Sequence, residues 1–144
     1  MKSKLIYSDG GEKTFALVFD TGDEVVSGIT HFAKENALDA ASLTAIGAFS
    51  DATLGYFDIQ RKEYEEIPVG EQVEVLSLVG DIALKGEEPQ LHAHVVVGRR
   101  DGTAMGGHLL EARVRPTLEV VLVESPEHLC KKTDPETGLA LIDL

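Results

Sequence analysis

From Ala41 to Glu124 the sequence breaks into short β-prone runs divided by turn-forming residues, and this limits the folds open to it. Strands are expected at Ala41–Gly47, Ala52–Asp58, Val73–Leu84, Leu91–Gly98, Thr103–Val114 and Leu118–Glu124. The dividers are Phe49-Ser50-Asp51, Arg61-Lys62-Glu63, Pro68-Val69-Gly70, Lys85-Gly86-Glu87-Glu88-Pro89, Asp101-Gly102 and Arg115-Pro116. Connections this short favour antiparallel neighbours, because parallel strands need long crossover segments. One helix precedes the run. Phe15–Phe19 reads as a strand, and Asp20-Thr21-Gly22-Asp23 ends it and offers capping side chains. Between Glu24 and Asn36, Val25, Ile29, Phe32 and Ala33 recur at the spacing of one helix face, with Glu24, Lys34 and Glu35 left for water. His31 falls beside that stripe and is expected at the surface. The expected fold class is α+β, a mostly antiparallel β-sheet with one main amphipathic helix near residues 23–36.

At 144 residues, with 43% hydrophobic and 26% charged, the chain is the size of one domain able to bury its own core. A single domain over 1–144 is expected, with a core over about 15–124 and a tail from Pro126 to Leu144. The apolar end of that tail, Leu139-Ala140-Leu141-Ile142, is suited to a terminal strand or to packing on a neighbouring subunit. No run approaches the eighteen or so apolar residues of a membrane helix, and the first residues lack the apolar core of a secretion signal, so a cytoplasmic location is expected. Cys130 is the one cysteine; it forms no internal disulfide and reads as a small, partly buried thiol. A net charge of −12 repels polyanions, and the pairs Arg99-Arg100 and Lys131-Lys132 do not make a basic stripe, so DNA binding is disfavoured.

In Leu91-His92-Ala93-His94 the strand period of two places His92 and His94 on one face, roughly 6.5–7 Å apart along the chain. Arg99–Thr103 reads as a hairpin connection. If Arg99 faces Thr103 with Gly102 left-handed, His94 faces His108 at a Cα separation of roughly 4.5–5.5 Å. A shift of one residue in the pairing would turn His108 to the other face. Three imidazoles with positions left open resemble a catalytic zinc site, although iron, manganese, nickel or cobalt takes the same ligands. Spacing leaves a plainer reading equally open, in which His92 and His94 bond backbone carbonyls and His108 is unrelated to them. Glu111, Glu119 and Asp81 are the carboxylates that could assist, Glu111 only if a bulge turns it toward His108. Arg113 and Arg115 could hold an anionic substrate, although surface arginines are the simpler reading. No phosphate-binding glycine loop or nucleophile elbow occurs, and Glu63-Tyr64-Glu65-Glu66 reads as a solvated turn.

The segments Ala45–Phe57, Val73–Leu84, Leu91–His94 and Gly106–Ala112 closely resemble the plants-and-prokaryotes conserved (PPC) domain, over about Phe15 to Glu124. The resemblance implies a strongly bent antiparallel sheet, similar in fold to the metal enzyme acetolactate decarboxylase, and assembly into homotrimers. Prokaryotic members resemble this chain in their three histidines, which implies His92, His94 and His108 as ligands of a divalent metal; zinc is the ion expected for such a donor set. Plant members carry basic AT-hook arms, and bacterial ones are called DNA-binding by that association; no Arg-Gly-Arg core occurs here. A small-molecule ligand fits the metal reading. Whether the chain is an enzyme is left open, because a shared fold does not specify a reaction; Glu111 and Arg113 are the catalytic candidates.

Overall fold

Two strands far longer than the sequence suggests organise the sheet. The computed structural model describes residues 1–144. In chain order the elements are β1 (Lys2–Asp9), β2 (Glu12–Asp20), α1 (Val25–Glu35), β3 (Ala40–Asp58), β4 (Glu63–Val69), β5 (Val73–Lys85), β6 (Glu88–Gly98), β7 (Ala104–Glu124), β8 (Cys130–Thr133) and β9 (Ala140–Asp143). Phe49-Ser50-Asp51 and Arg115-Pro116, expected as turns, lie inside β3 and β7. There the ladder steps from Gly47 opposite Leu118 to Phe49 opposite Val114, so residues 115–117 face Ala48 alone in a wide bulge. Pro116 has no N–H for a ladder and fits where pairing is already interrupted. A bulge bends a strand without ending it, and its composition resembles that of a turn.

The expected turn at Glu63–Glu66 is also corrected: these residues open β4, which pairs with Ala52–Asp58 of β3. Charged side chains are a common protection of such edge strands. β1, exposed along its length and paired with β2, was not anticipated.

Pairing is antiparallel throughout except for one parallel contact, Leu84 with Cys130, between β5 and β8. β6 pairs with both β5 and β7, β5 with β3, and β3 with β7, so these four strands form a closed circuit. Ala93, Val95 and Val97 of β6 point inward with Leu78, Ile82, Leu118 and Leu122. Residues of opposite parity, His92 and His94 among them, therefore face outward.

The helix buries Val25, Ile29, Phe32 and Ala33, the four residues of its expected stripe. Phe32 meets Phe15 edge to face at 5.2 Å. The capping residue is Glu24, not Asp20–Asp23. Its carboxylate accepts from the N–H groups of Val26 and Ser27, at 3.1 and 2.6 Å, and from Ala112 of β7 at 3.3 Å. Burial works to raise the Glu24 pKa, but the Ser27 side chain together with the three N–H donors outweighs it and holds it below the ordinary carboxylate value. Asp23 instead accepts from Asp20 N–H and closes the turn. His31 is exposed, 3.2 Å from Glu35. Cys130 is exposed rather than partly buried. No helix is long and apolar enough to cross a membrane.

Candidate metal centre

β6 carries His92 and His94 outward, and the β6–β7 hairpin sets the third histidine. Arg99 N–H donates to Thr103 O at 2.8 Å and Gly102 N–H to Arg99 O at 2.9 Å, with Gly102 at φ +84°. His94 therefore faces His108 directly. The potential ligand atoms of the three side chains lie within 4.8 Å of one another. His92 Nε2 and His94 Nε2 are 3.2 Å apart, close to the separation of about 3.3 Å between two nitrogens that share a tetrahedral ion at about 2.05 Å.

The surroundings orient these rings. Asp81 of β5 lies opposite His92 in the β5–β6 ladder, and its Oδ2 is 3.4 Å from His92 Nδ1. A carboxylate there favours the proton on Nδ1 and leaves the Nε2 lone pair free, as the outer partner of a metal-bound histidine does. Of the three carboxylates in question, register selects Asp81. Its other oxygen lies 2.8 Å from Lys131 Nζ on β8, an ion pair without hydrogen-bond alignment, and the Lys131 side chain is only 2% exposed. On the far side the Tyr64 ring stacks on His108 at 4.6 Å. Gly55 makes room for it, since a Cβ there would come 2.7 Å from Tyr64 Cδ1.

The remaining candidates do not join the histidines. The ladder does skip Leu110, giving the bulge Glu111 requires, but Glu111 pairs with Thr53 Oγ1 at 3.3 Å. Arg113 donates to Gly22 O at 3.4 Å, near the helix start. Arg115 sits in the β7 bulge, and Glu119 lies opposite Ile46 at the other end of β7. Sequence reasoning missed Tyr64 and Lys131. Tyr64 is the one aromatic in an otherwise acidic run, a signal of a half-buried strand position; Lys131 left no signal, because its place depends on the tail folding back along β5.

Burial pushes the His108 pKa down to about 4, helped by the neighbouring His92, His94 and Lys131 charges. His94 is also lowered, first by partial desolvation and then by His92. Neutral imidazole is the form that binds metal. His108 Nδ1 is moreover buried with no hydrogen-bond partner, the kind of unmet polar atom that a ligand or a water satisfies. The donor set thus fits a divalent ion.

The His108 shift has a measurable sign. The unfolded chain takes up a proton near pH 6.5 that the folded His108 refuses until about pH 4, so the histidine contribution to stability is complete above the upper value and is lost as pH falls through the window. Urea unfolding of metal-free protein between those limits should therefore show a shallower pH slope for His108→Asn than for wild type. Equal slopes would exclude His108 as the source.

Fold and site together define a class: a small domain built on a closed circuit of antiparallel strands, with three histidines and a carboxylate partner gathered on its outer face. The chain belongs to the Plants and Prokaryotes Conserved (PCC) domain family, whose model matches residues 7–126. It is similar to a metal-containing protein from Archaeoglobus fulgidus (37% identity, covering 100% of both chains, TM-score 0.85). A plant- and prokaryote-conserved protein from Pyrococcus horikoshii is 33% identical, covering 96% of this chain and 98% of its own, with TM-score 0.86. A putative DNA-binding protein from Bacteroides thetaiotaomicron is 31% identical, covering 95% and 94%, with TM-score 0.86. A Staphylococcus aureus protein similar to alpha-acetolactate decarboxylase shares the fold alone, at 15% identity over 76% of this chain and 50% of its own, TM-score 0.54. Among the curated proteins, none matches.

Proposed function

We propose that this chain is a metal-binding protein in which His92, His94 and His108 hold one divalent ion, with zinc the best fit. The observation that carries this is the convergence of three imidazoles, two with nitrogens 3.2 Å apart, beside a carboxylate that orients one of them. Imidazole nitrogens suit zinc, and three of them leave a coordination position for water or substrate. Once bound, such an ion supplies Lewis acidity and lowers the pKa of a bound water. The chain itself orients His92 through Asp81, keeps His94 and His108 neutral, and screens His108 with Tyr64. The description of the Archaeoglobus relative as metal-containing supports the same reading. Elemental analysis of untagged protein purified without added metal should find close to one transition-metal ion per chain. A substantially metal-free protein that also fails to take up zinc would overturn it.

Partner binding follows from the same face. Val79 lies opposite His94 and also opposite Thr44, and Thr44 lies opposite Val121, so an outward row runs from the histidines across β5 and β3 to β7. Ile46, Leu76, Val79 and Val121 are 63%, 55%, 51% and 46% exposed in or beside that row. An apolar face of this kind marks an interaction surface, and we read it as the contact of a homotrimer. Light scattering should give the mass of three chains for wild type and of one for Leu76→Asp; a monomeric wild type would remove the reading. The DNA-binding description of the Bacteroides relative finds no support in this chain, whose charge is −12.

A further inference from the structure

Two of the histidines, His92 and His108, line a cleft of about 160 Å³, together with Tyr64, Gln90 and Lys131 as polar groups and Leu91 and Leu141 as apolar walls. Its polar atoms are under-used. Gln90 Oε1 and His108 Nδ1 are buried without a hydrogen-bond partner. Lys131 has three N–H donors but only Asp81 Oδ1 at 2.8 Å and a long 3.5 Å contact to the Gln90 carbonyl. Buried polar atoms without a partner are uncommon, and here two line one space beside an ammonium with a donor to spare.

Charge selects the ligand class. Asp81 and Lys131 cancel, and neutral imidazoles add nothing, so a divalent ion leaves the site with two positive charges in a partly desolvated setting. An anion is favoured there, and an ammonium with a free donor is a ready contact for its oxygens. Size limits the ligand further: the cleft holds the volume of about five waters, well below that of a nucleotide or a peptide. Its far wall belongs to the β8–β9 hairpin, beyond the residues that the family model matches.

We infer that this cleft binds a small monocarboxylate of roughly three to five carbons, its carboxylate against Lys131 and its carbon chain against Leu91 and Leu141. The inference deepens the metal reading and rests on it. The test begins with zinc-loaded protein of measured metal content, titrated calorimetrically with butyrate, 2-hydroxybutyrate and butyramide. Wild type should bind the acids at least about tenfold more tightly than the amide, Lys131→Met compared at equal measured zinc occupancy should weaken acid binding about ten- to a hundredfold, and Lys131→Arg should restore it to within a few-fold. One zinc per chain without acid binding, or acid binding that Lys131→Met leaves intact, overturns the cleft assignment and spares the metal reading. Failure to hold zinc removes both. If Lys131→Met loses the amide signals of the β8–β9 hairpin, Leu141→Asp, which sets a like charge on the wall assigned to the carbon chain, takes its place, and unchanged acid affinity in that variant overturns the assignment.

Discussion

A His92→Ala/His94→Ala double variant should keep its fold and lose its metal. Both side chains point away from the core that Ala93 and Val95 enter, so their removal opens no cavity in it. Far-ultraviolet circular dichroism and the urea midpoint of the metal-free form should therefore stay close to wild type. Zinc affinity should fall by more than about a thousandfold, since even outer partners of a metal site are worth ten- to a hundredfold each and two direct ligands are worth more. Competition with a chromophoric chelator measures that loss. Retained stoichiometric zinc would show that the ion sits elsewhere. The double variant also separates the site from the fold: if the histidines were structural residues bonded to carbonyls, stability would drop and metal content would not change.

The opposite pattern is expected for Gly47→Ala, where the fold fails first. Gly47 has φ +150°, a region where side chains are rarely accommodated. A Cβ there would lie 2.3 Å from Thr117 O and 2.8 Å from Leu118 Cα. Both neighbours are backbone of β7 and cannot swing aside, so β3 and β7 must separate at the place where their ladder bends. A loss of roughly 3 kcal/mol or more is expected, enough to threaten a domain of this size. Urea unfolding, or the soluble yield if the variant aggregates, reads the effect. A midpoint within experimental error of wild type would show that the bend tolerates a side chain. Zinc binding should decline together with folding rather than independently, because Gly47 lies well along β3 from Gly55, the residue opposite His108.

These two expectations divide along the line between what could be read in the chain and what could not. Helix α1 was legible to its four buried residues because amphipathic spacing is a local property, written at i, i+4, i+7 and i+8. The hairpin at Arg99–Thr103 was legible for a related reason: a short loop with glycine at its left-handed position admits few registers, and register alone decides which face His108 takes. Bulges were not legible. Ser50-Asp51 and Arg115-Pro116 have turn composition, and only the partner strand reveals that the chain continues through them. β4 was hidden in the same way, since an edge strand carries charges to water and reads as loop.

Alternation and loop length by themselves determined the helix, the antiparallel sheet and the shared face of His92 and His94, because each is a relation between residues close in sequence. Tertiary structure alone decided which groups complete the site. Asp81 reaches His92 by pairing across β5 and β6, Tyr64 reaches His108 through an edge strand over Gly55, and Lys131 arrives with the C-terminal hairpin. The last two approaches come from distant segments brought together by burial of a common core, and the first depends on the register of the β5–β6 hairpin. Burial has no sequence period once the partner lies in a distant segment, and so the three histidines could be named from the chain, and Asp81 only as one carboxylate of three, while Tyr64 and Lys131 could not be placed beside them.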